Sequence, residues 1–260
     1  MMEFMLKIGI MKVTIHFILA AFLVFTQPRV EAEEVLIAVA ANFIDASREI
    51  APLFERVSGH TTRISYGSTG KLYSQIEHGA PFELFLAADT QRPIKAEEEG
   101  LAVSGTRFIY AKGKLVLWSV KPGLFNDAEG FLRQGDFDHL ALANPKTAPY
   151  GLAAQQVMHQ LGVLPSLTAK LVRGESIAQA FQFTATGNAE LGFVALAQIK
   201  TWKGEAGTLW EIPAEYYSPI AQAAVLLKKG EANPAATAYL EFLKSDVARE
   251  VIERYGYGVE

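Results

Sequence analysis

The residues with chemistry to offer sit in turns built from small hydroxyl, amide and glycine residues. Ser68-Thr69-Gly70-Lys71 follows an extended run, Arg63 to Tyr66, and opens a helical one, Lys71 to Glu77. The first N–H groups of a helix have no partner inside it, and the macrodipole puts partial positive charge at the same end. Hydroxyls placed there add donors, so such a turn can hold an anion. Simple helix capping is the competing use of Ser and Thr at that position. Nucleotide hydrolysis is excluded on this signal. A phosphate-binding loop needs Gly, four residues, Gly-Lys and then Ser or Thr, whereas here Ser65 stands first and Leu72 last.

Three further turns share this chemistry: Ala41-Asn42, Pro149-Tyr150-Gly151 and Ser176-Ile177. They supply backbone N–H groups, hydroxyls and one amide, with few charges. Lys71 and Arg173 lie near two of them and read as solvated faces. Neutral donors suit a permanently ionised tetrahedral oxyanion and reject ligands that carry their own protons. Each charge-assisted hydrogen bond contributes about 1.5–3 kcal/mol. About five to seven of them, less the costs of binding, allow roughly micromolar to nanomolar affinity.

The groups a catalyst needs are sparse. His60, His78, His139 and His159 are not spaced as metal pairs, and neither His-Glu-x-x-His nor Gly-x-Ser-x-Gly occurs. Asp89 reads as a helix cap or as a general base. Glu97-Glu98-Glu99 reads as a solvated helix face. The absence of cysteine removes disulfides, thiolate metal sites and thiol nucleophiles. A net charge of −4 gives no case for nucleic acid or an anionic membrane surface.

The elements that must position these turns alternate strand and helix. Val35 to Ala40 reads as a buried strand, with Asn42 as the cap of the following helix, Asp45 as its capping partner and Pro52 as a kink or restart. Arg63 to Tyr66 and Phe82 to Ala88 are the next strands, the latter followed by Asp89 and a helix ending at Gly100. This order implies a parallel sheet, in which ligands bind beyond the carboxyl ends of the strands. Asn42, Ser68-Thr69 and Asp89 all fall there. Leu140 to Ala143, a long turn from Asn144 to Gly151, a helix from Leu152 to Leu161, Arg173 to Ser176, a helix from Ile177 and Leu191 to Leu196 build a second α/β lobe. Ile220 to Leu227 reads as a strand crossing back, and Ala235 to Leu243 and Val247 to Arg254 as closing helices. The expected lobes are 33–113 with 217–260, and 114–216, with crossings near 111–119 and 215–225.

At the N-terminus, Val13 to Phe25 is an apolar run too short to span a bilayer, and Val30-Glu31-Ala32 fits a cleavage site. Residues 1–32 therefore read as a signal peptide cleaved after Ala32, with Met11 a second candidate start.

Ala38-Val-Ala-Ala-Asn-Phe43, Tyr66-Gly-Ser-Thr-Gly-Lys-Leu72, Gln75-Ile-Glu-His-Gly-Ala-Pro81, Leu84-Phe-Leu-Ala-Ala-Asp89, Ala143-Asn-Pro-Lys-Thr-Ala-Pro-Tyr-Gly151, Leu191-Gly-Phe-Val-Ala-Leu196 and Arg254-Tyr-Gly-Tyr257 resemble the periplasmic molybdate-binding proteins of ABC importers. The resemblance covers nearly the whole chain after the leader. It implies an α/β, two-lobed periplasmic-binding-protein fold of type II, each lobe a mainly parallel sheet flanked by helices, with the ligand cleft between lobes. It also implies a periplasmic monomer that is not an enzyme, uses no cofactor, and delivers molybdate or tungstate to an inner-membrane permease with its ATPase. By position it implies an oxyanion site of Asn42, Ser68, Thr69, Tyr150 and Ile177. Ala195 stands where the family often has a ligand-binding tyrosine, and Tyr150 is the candidate to supply that donor. Sulfate or another small oxyanion stays open as the ligand, as does an exported enzyme acting on an anionic ester.

Overall fold

A computed structural model describes residues 32–259. The leader expected at residues 1–32 falls outside them but for its last residue. Among the described residues no helix is long and apolar enough to cross a membrane.

The first sheet has the strand order β2-β1-β3-β10-β4, formed by β1 (Glu34–Ala40), β2 (Thr61–Gly67), β3 (Leu84–Leu86), β4 (Phe108–Gly113) and β10 (Ile220–Leu226). The second has the order β7-β6-β8-β5-β9, formed by β5 (Leu115–Ser119), β6 (Leu140–Ala143), β7 (Leu171–Gly174), β8 (Leu191–Ala195) and β9 (Thr208–Glu211). In each sheet three strands run parallel, and the strand that carries the chain across pairs antiparallel to its neighbours. The chain passes between sheets twice, from Gly113 to Leu115 and from Glu211 to Ile220.

Strand character follows position. β1 is interior, and Val35, Ile37, Ala38 and Val39 are wholly buried, as an apolar run covered on both faces should be. β2 is an edge strand that alternates exposed and half-buried residues. β9 escapes sequence reading because its four residues, Thr-Leu-Trp-Glu, alternate in burial and border a proline- and tyrosine-rich stretch.

Helices α1 (Ile44–Ser58), α2 (Thr69–Glu77), α3 (Gln91–Glu98), α4 (Ala128–Gln134), α5 (Pro149–Gln160), α6 (Leu164–Leu167), α7 (Ile177–Ala185), α8 (Leu196–Lys200), α9 (Pro234–Phe242) and α10 (Asp246–Arg254) flank the sheets. Two expectations for α1 are corrected. Residues Ala41–Phe43 form a 3₁₀ turn, α1 starts only at Ile44, and neither Asn42 nor any other side chain caps it. Pro52 does not restart the helix, which runs through it for 15 residues. Ile50, Ala51 and Phe54 are buried on its inner face, and Phe54 packs edge-on against Tyr239 at 5.0 Å. That packing outweighs the one hydrogen bond the proline removes. A third correction concerns α5, which begins at Pro149 rather than Leu152, because proline suits a first helical position.

Candidate functional site

Strand register brings the turns together. Ala40 of β1 pairs with Gly67 of β2, so Asn42 and Ser68-Thr69 leave adjacent strand ends on one edge of the first sheet. Ala143 of β6 pairs with Gly174 of β7, so the turns leading to Tyr150 and Ile177 leave adjacent strand ends of the second.

The two edges face each other. Gly70 N–H donates to the Thr147 carbonyl at 2.8 Å. Lys71 pairs with Glu175 at 2.6 Å. Arg92 Nη2 reaches the Lys146 carbonyl at 3.3 Å. On another side, Thr201 donates to Asp45 at 3.0 Å. Each contact joins a residue of the first lobe to one of the second. Gly70 permits the close approach, because a Cβ there would lie 3.0 Å from Thr147 Cα and 3.0 Å from Arg92 Nη2.

All five candidate residues are buried at this junction: Asn42, Ser68 and Ile177 are 4% exposed, and Thr69 and Tyr150 1%. A solute could reach them only if the lobes part. Beside them lies a cleft of about 370 Å³, lined by Ala88, Asp89 and Arg92 from one lobe and Lys146, Ala148 and Pro149 from the other.

Their donors differ in state. Ser68 occupies the cap position of α2 but makes no capping bond, and its hydroxyl is buried without a hydrogen-bond partner. An orphaned hydroxyl costs free energy unless something else uses it. Thr69 Oγ1 accepts from Ala88 N–H at 3.1 Å, which leaves its own proton free to donate. Ile177 is the first residue of α7, after Ser176, whose hydroxyl caps the helix by accepting from Gln179 N–H at 3.4 Å. Here the capping role of serine holds, unlike at Ser68.

Tyr150 and Asn42 share a buried network that sequence reading missed. Gln222 of β10 donates through Nε2 to Tyr150 Oη at 3.3 Å, and its Oε1 accepts from Asn42 Nδ2 at 2.7 Å and Tyr110 Oη at 3.1 Å. Tyr257 Oη donates to the Asn42 carbonyl at 2.6 Å. A lone amide within the apolar strand Ile220-Ala-Gln-Ala-Ala-Val-Leu226 was the available signal. Burial pushes the Tyr150 phenol well above its ordinary pKa, reinforced by Tyr257 and Tyr217 and opposed by the hydrogen bond from Gln222. Tyr150 is therefore a neutral phenol.

The remaining candidates fall outside the donor set. Asp89 accepts from Arg92 N–H at 3.0 Å and pairs with its guanidinium, so it is a cap and not a base. Arg173 is exposed. Ala195 is buried at the end of β8, in one apolar cluster with Tyr150 and Ile177. Among the described residues no group of three or more His, Asp or Glu could hold a metal ion.

Two mixed-sheet lobes, joined by two crossings and closed over a neutral donor cluster, define a solute-binding protein. The chain belongs to the family of bacterial extracellular solute-binding proteins, whose pattern matches residues 35–258. It is 55% identical over 231 residues to the molybdate-binding protein ModA of Azotobacter vinelandii, covering 88% of this chain and 92% of that protein. It is 52% identical over 229 residues to the molybdate-binding protein ModA of Rhodobacter capsulatus, covering 88% and 90%. Among solved structures, the periplasmic molybdate-binding protein of Azotobacter vinelandii matches with a TM-score of 0.83 and 41% identity, over 87% of this chain and 99% of that one.

Proposed function

We propose that the protein captures molybdate or tungstate in the periplasm and delivers it to an ABC-type import permease driven by an ATPase. The observation that carries this reading is the Ser68 hydroxyl, buried and unpartnered at a helix N-terminus beside the donors of Thr69. In this reading the oxyanion accepts from the hydroxyls of Ser68, Thr69 and Tyr150 and from backbone N–H groups in the turns at Asn42, Thr69 and Ile177. Donors come from both lobes, so the bound anion favours the closed arrangement over an open one. The crossings at 113–115 and 211–220 serve as the hinge, between lobes 33–113 with 217–260 and 114–216.

The protein acts as a monomeric carrier, not an enzyme. The neutral donor set supports this, because no activated nucleophile or base stands among the five residues. Export with cleavage after Ala32 would put it in the periplasm, in keeping with the name of the Azotobacter vinelandii structure it resembles. Molybdate and tungstate are favoured over sulfate because a larger anion reaches donors on both lobes at once. Titration calorimetry with the three anions tests this. Molybdate and tungstate should bind well above sulfate, and equal or tighter sulfate binding would overturn the reading.

A further inference from the structure

The hydrogen-bond polarity of the buried network can be worked out from a single backbone carbonyl. Tyr257 has one hydroxyl proton, and the Asn42 carbonyl at 2.6 Å takes it. Tyr257 Oη can then only accept from the Asn42 side-chain atom 3.3 Å away, so that atom is the amide nitrogen. The nitrogen's nearer partner, at 2.7 Å on Gln222, must be an oxygen. The other end of the Gln222 amide is therefore its NH₂, and it faces Tyr150 Oη at 3.3 Å. Tyr150 Oη accepts, and its proton must point away from Gln222. Amide orientation is ordinarily a matter of network assignment, and here one carbonyl decides the whole chain.

We propose that Gln222 is a positioning residue for ligand binding: by donating to the Tyr150 hydroxyl it keeps that hydroxyl's own proton turned away from itself and available to the anion. The inference rests on the proposed oxyanion function. Gln222 is wholly buried, lies on the first lobe beside the crossings and touches Tyr150 of the second. Gly113, at the first crossing, leaves the space this needs. A Cβ there would lie 2.1 Å from Tyr150 Oη and 2.8 Å from Gln222 Nε2. Without Gln222 the phenol is free to turn, and its proton is no longer held toward the anion. Burial keeps that proton in place well beyond neutral pH, so orientation and not ionisation is what Gln222 controls.

A double-mutant cycle tests this in the exported chain, with molybdate affinity read by calorimetry and the melting temperature read without anion. Tyr150→Phe and Gln222→Leu should each weaken binding by about tenfold or more. The combined variant should lie within about threefold of the weaker single one, because both changes remove the same donated proton. Losses that multiply would overturn the proposal. Gln222→Glu guards against a misfolded Leu variant, since it keeps the acceptor for Asn42 and Tyr110. Its carboxylate accepts the Tyr150 proton, so the loss should equal or exceed that of Tyr150→Phe. Binding within about threefold of the parent would overturn the proposal. If the unaltered protein binds neither molybdate nor tungstate, the proposed function fails first. If it binds and the cycle is additive, only the role of Gln222 fails.

Discussion

The backbone N–H of Gly70 donates to the carbonyl oxygen of Thr147 at 2.8 Å, across the line where the two lobes meet. Thr147 Oγ1 and Ser68 Oγ are both buried without a partner. The lobes thus close on a backbone hydrogen bond flanked by unused hydroxyls. Such an interface is inexpensive to open and gains most when an acceptor fills it.

Gly70→Ala tests the closure. The added methyl would press on the Thr147 backbone at 3.0–3.1 Å. Overpacking of this kind costs about 1–3 kcal/mol, which corresponds to roughly five- to hundredfold in affinity if the closed form bears it all. Alanine also favours the helix interior over glycine, so the melting temperature without anion should not fall. Small-angle scattering should show a smaller decrease in radius of gyration on adding molybdate than in the parent. A parental affinity would mean that Gly70 and Thr147 do not approach in the bound form.

Ser68→Ala and Thr69→Ala should separate function from stability. The Ser68 hydroxyl contributes nothing to the protein's own hydrogen bonding. Its removal should leave the anion-free melting temperature unchanged or slightly raised, while affinity falls by about ten- to hundredfold. Thr69 Oγ1 also accepts from Ala88 N–H. Thr69→Ala should therefore lower both affinity and melting temperature, the latter by leaving a buried N–H unpaired. Thermal scans with and without molybdate read both quantities.

The turns were legible in the sequence because helix starts have their own chemistry. Ser68-Thr69 and Ser176-Ile177 lie within a residue of the helix starts they were read to mark. The interior strands β1, β3, β6, β8 and β10 were legible for the same kind of reason, as apolar runs between turn residues, whereas β9, with its four residues alternating in burial, was not. What failed was the assignment of roles within the turns. Asn42 had the residue type of a cap, but its amide is taken by Gln222, 180 positions away. No local pattern reports a contact of that range. Gln222 itself was visible as an amide among apolar neighbours, yet its meaning depends on Tyr150, Tyr110 and Tyr257 arriving from three other elements. The pairing of Gly70 with Thr147 was likewise out of reach, since it depends on how the lobes close.

The pH response should have two parts. Burial raises the pKa of Tyr150, Tyr110 and Tyr257 well above their ordinary value. A folded pKa above the unfolded one contributes stability that is full below about pH 10 and is lost as pH rises toward the folded value. Molybdate affinity should therefore be flat from about pH 7 to 9, where no phenol of the network ionises. Thermal stability should begin to fall above about pH 10. Affinity that declines through pH 7–9 would point to an ionising donor in the site.

Lys71 and Glu175 form the ion pair across the lobes at 2.6 Å, with both side chains more than half exposed. Exposed pairs contribute little and are screened by salt. Lys71→Ala should weaken molybdate binding by no more than about fivefold, and added salt should erase the difference from the parent. A larger, salt-resistant loss would place the lysine in direct contact with the anion.

Anomalous diffraction from crystals grown with molybdate or tungstate tests the central claim most directly, because the scattering atom marks the anion's position. One strong peak should lie between the lobes, with its oxygens in hydrogen-bonding reach of Ser68 Oγ, Thr69 Oγ1 and Tyr150 Oη. A peak elsewhere, or none between the lobes in crystals of protein that binds the anion in solution, would contradict the assignment of this junction as the binding site.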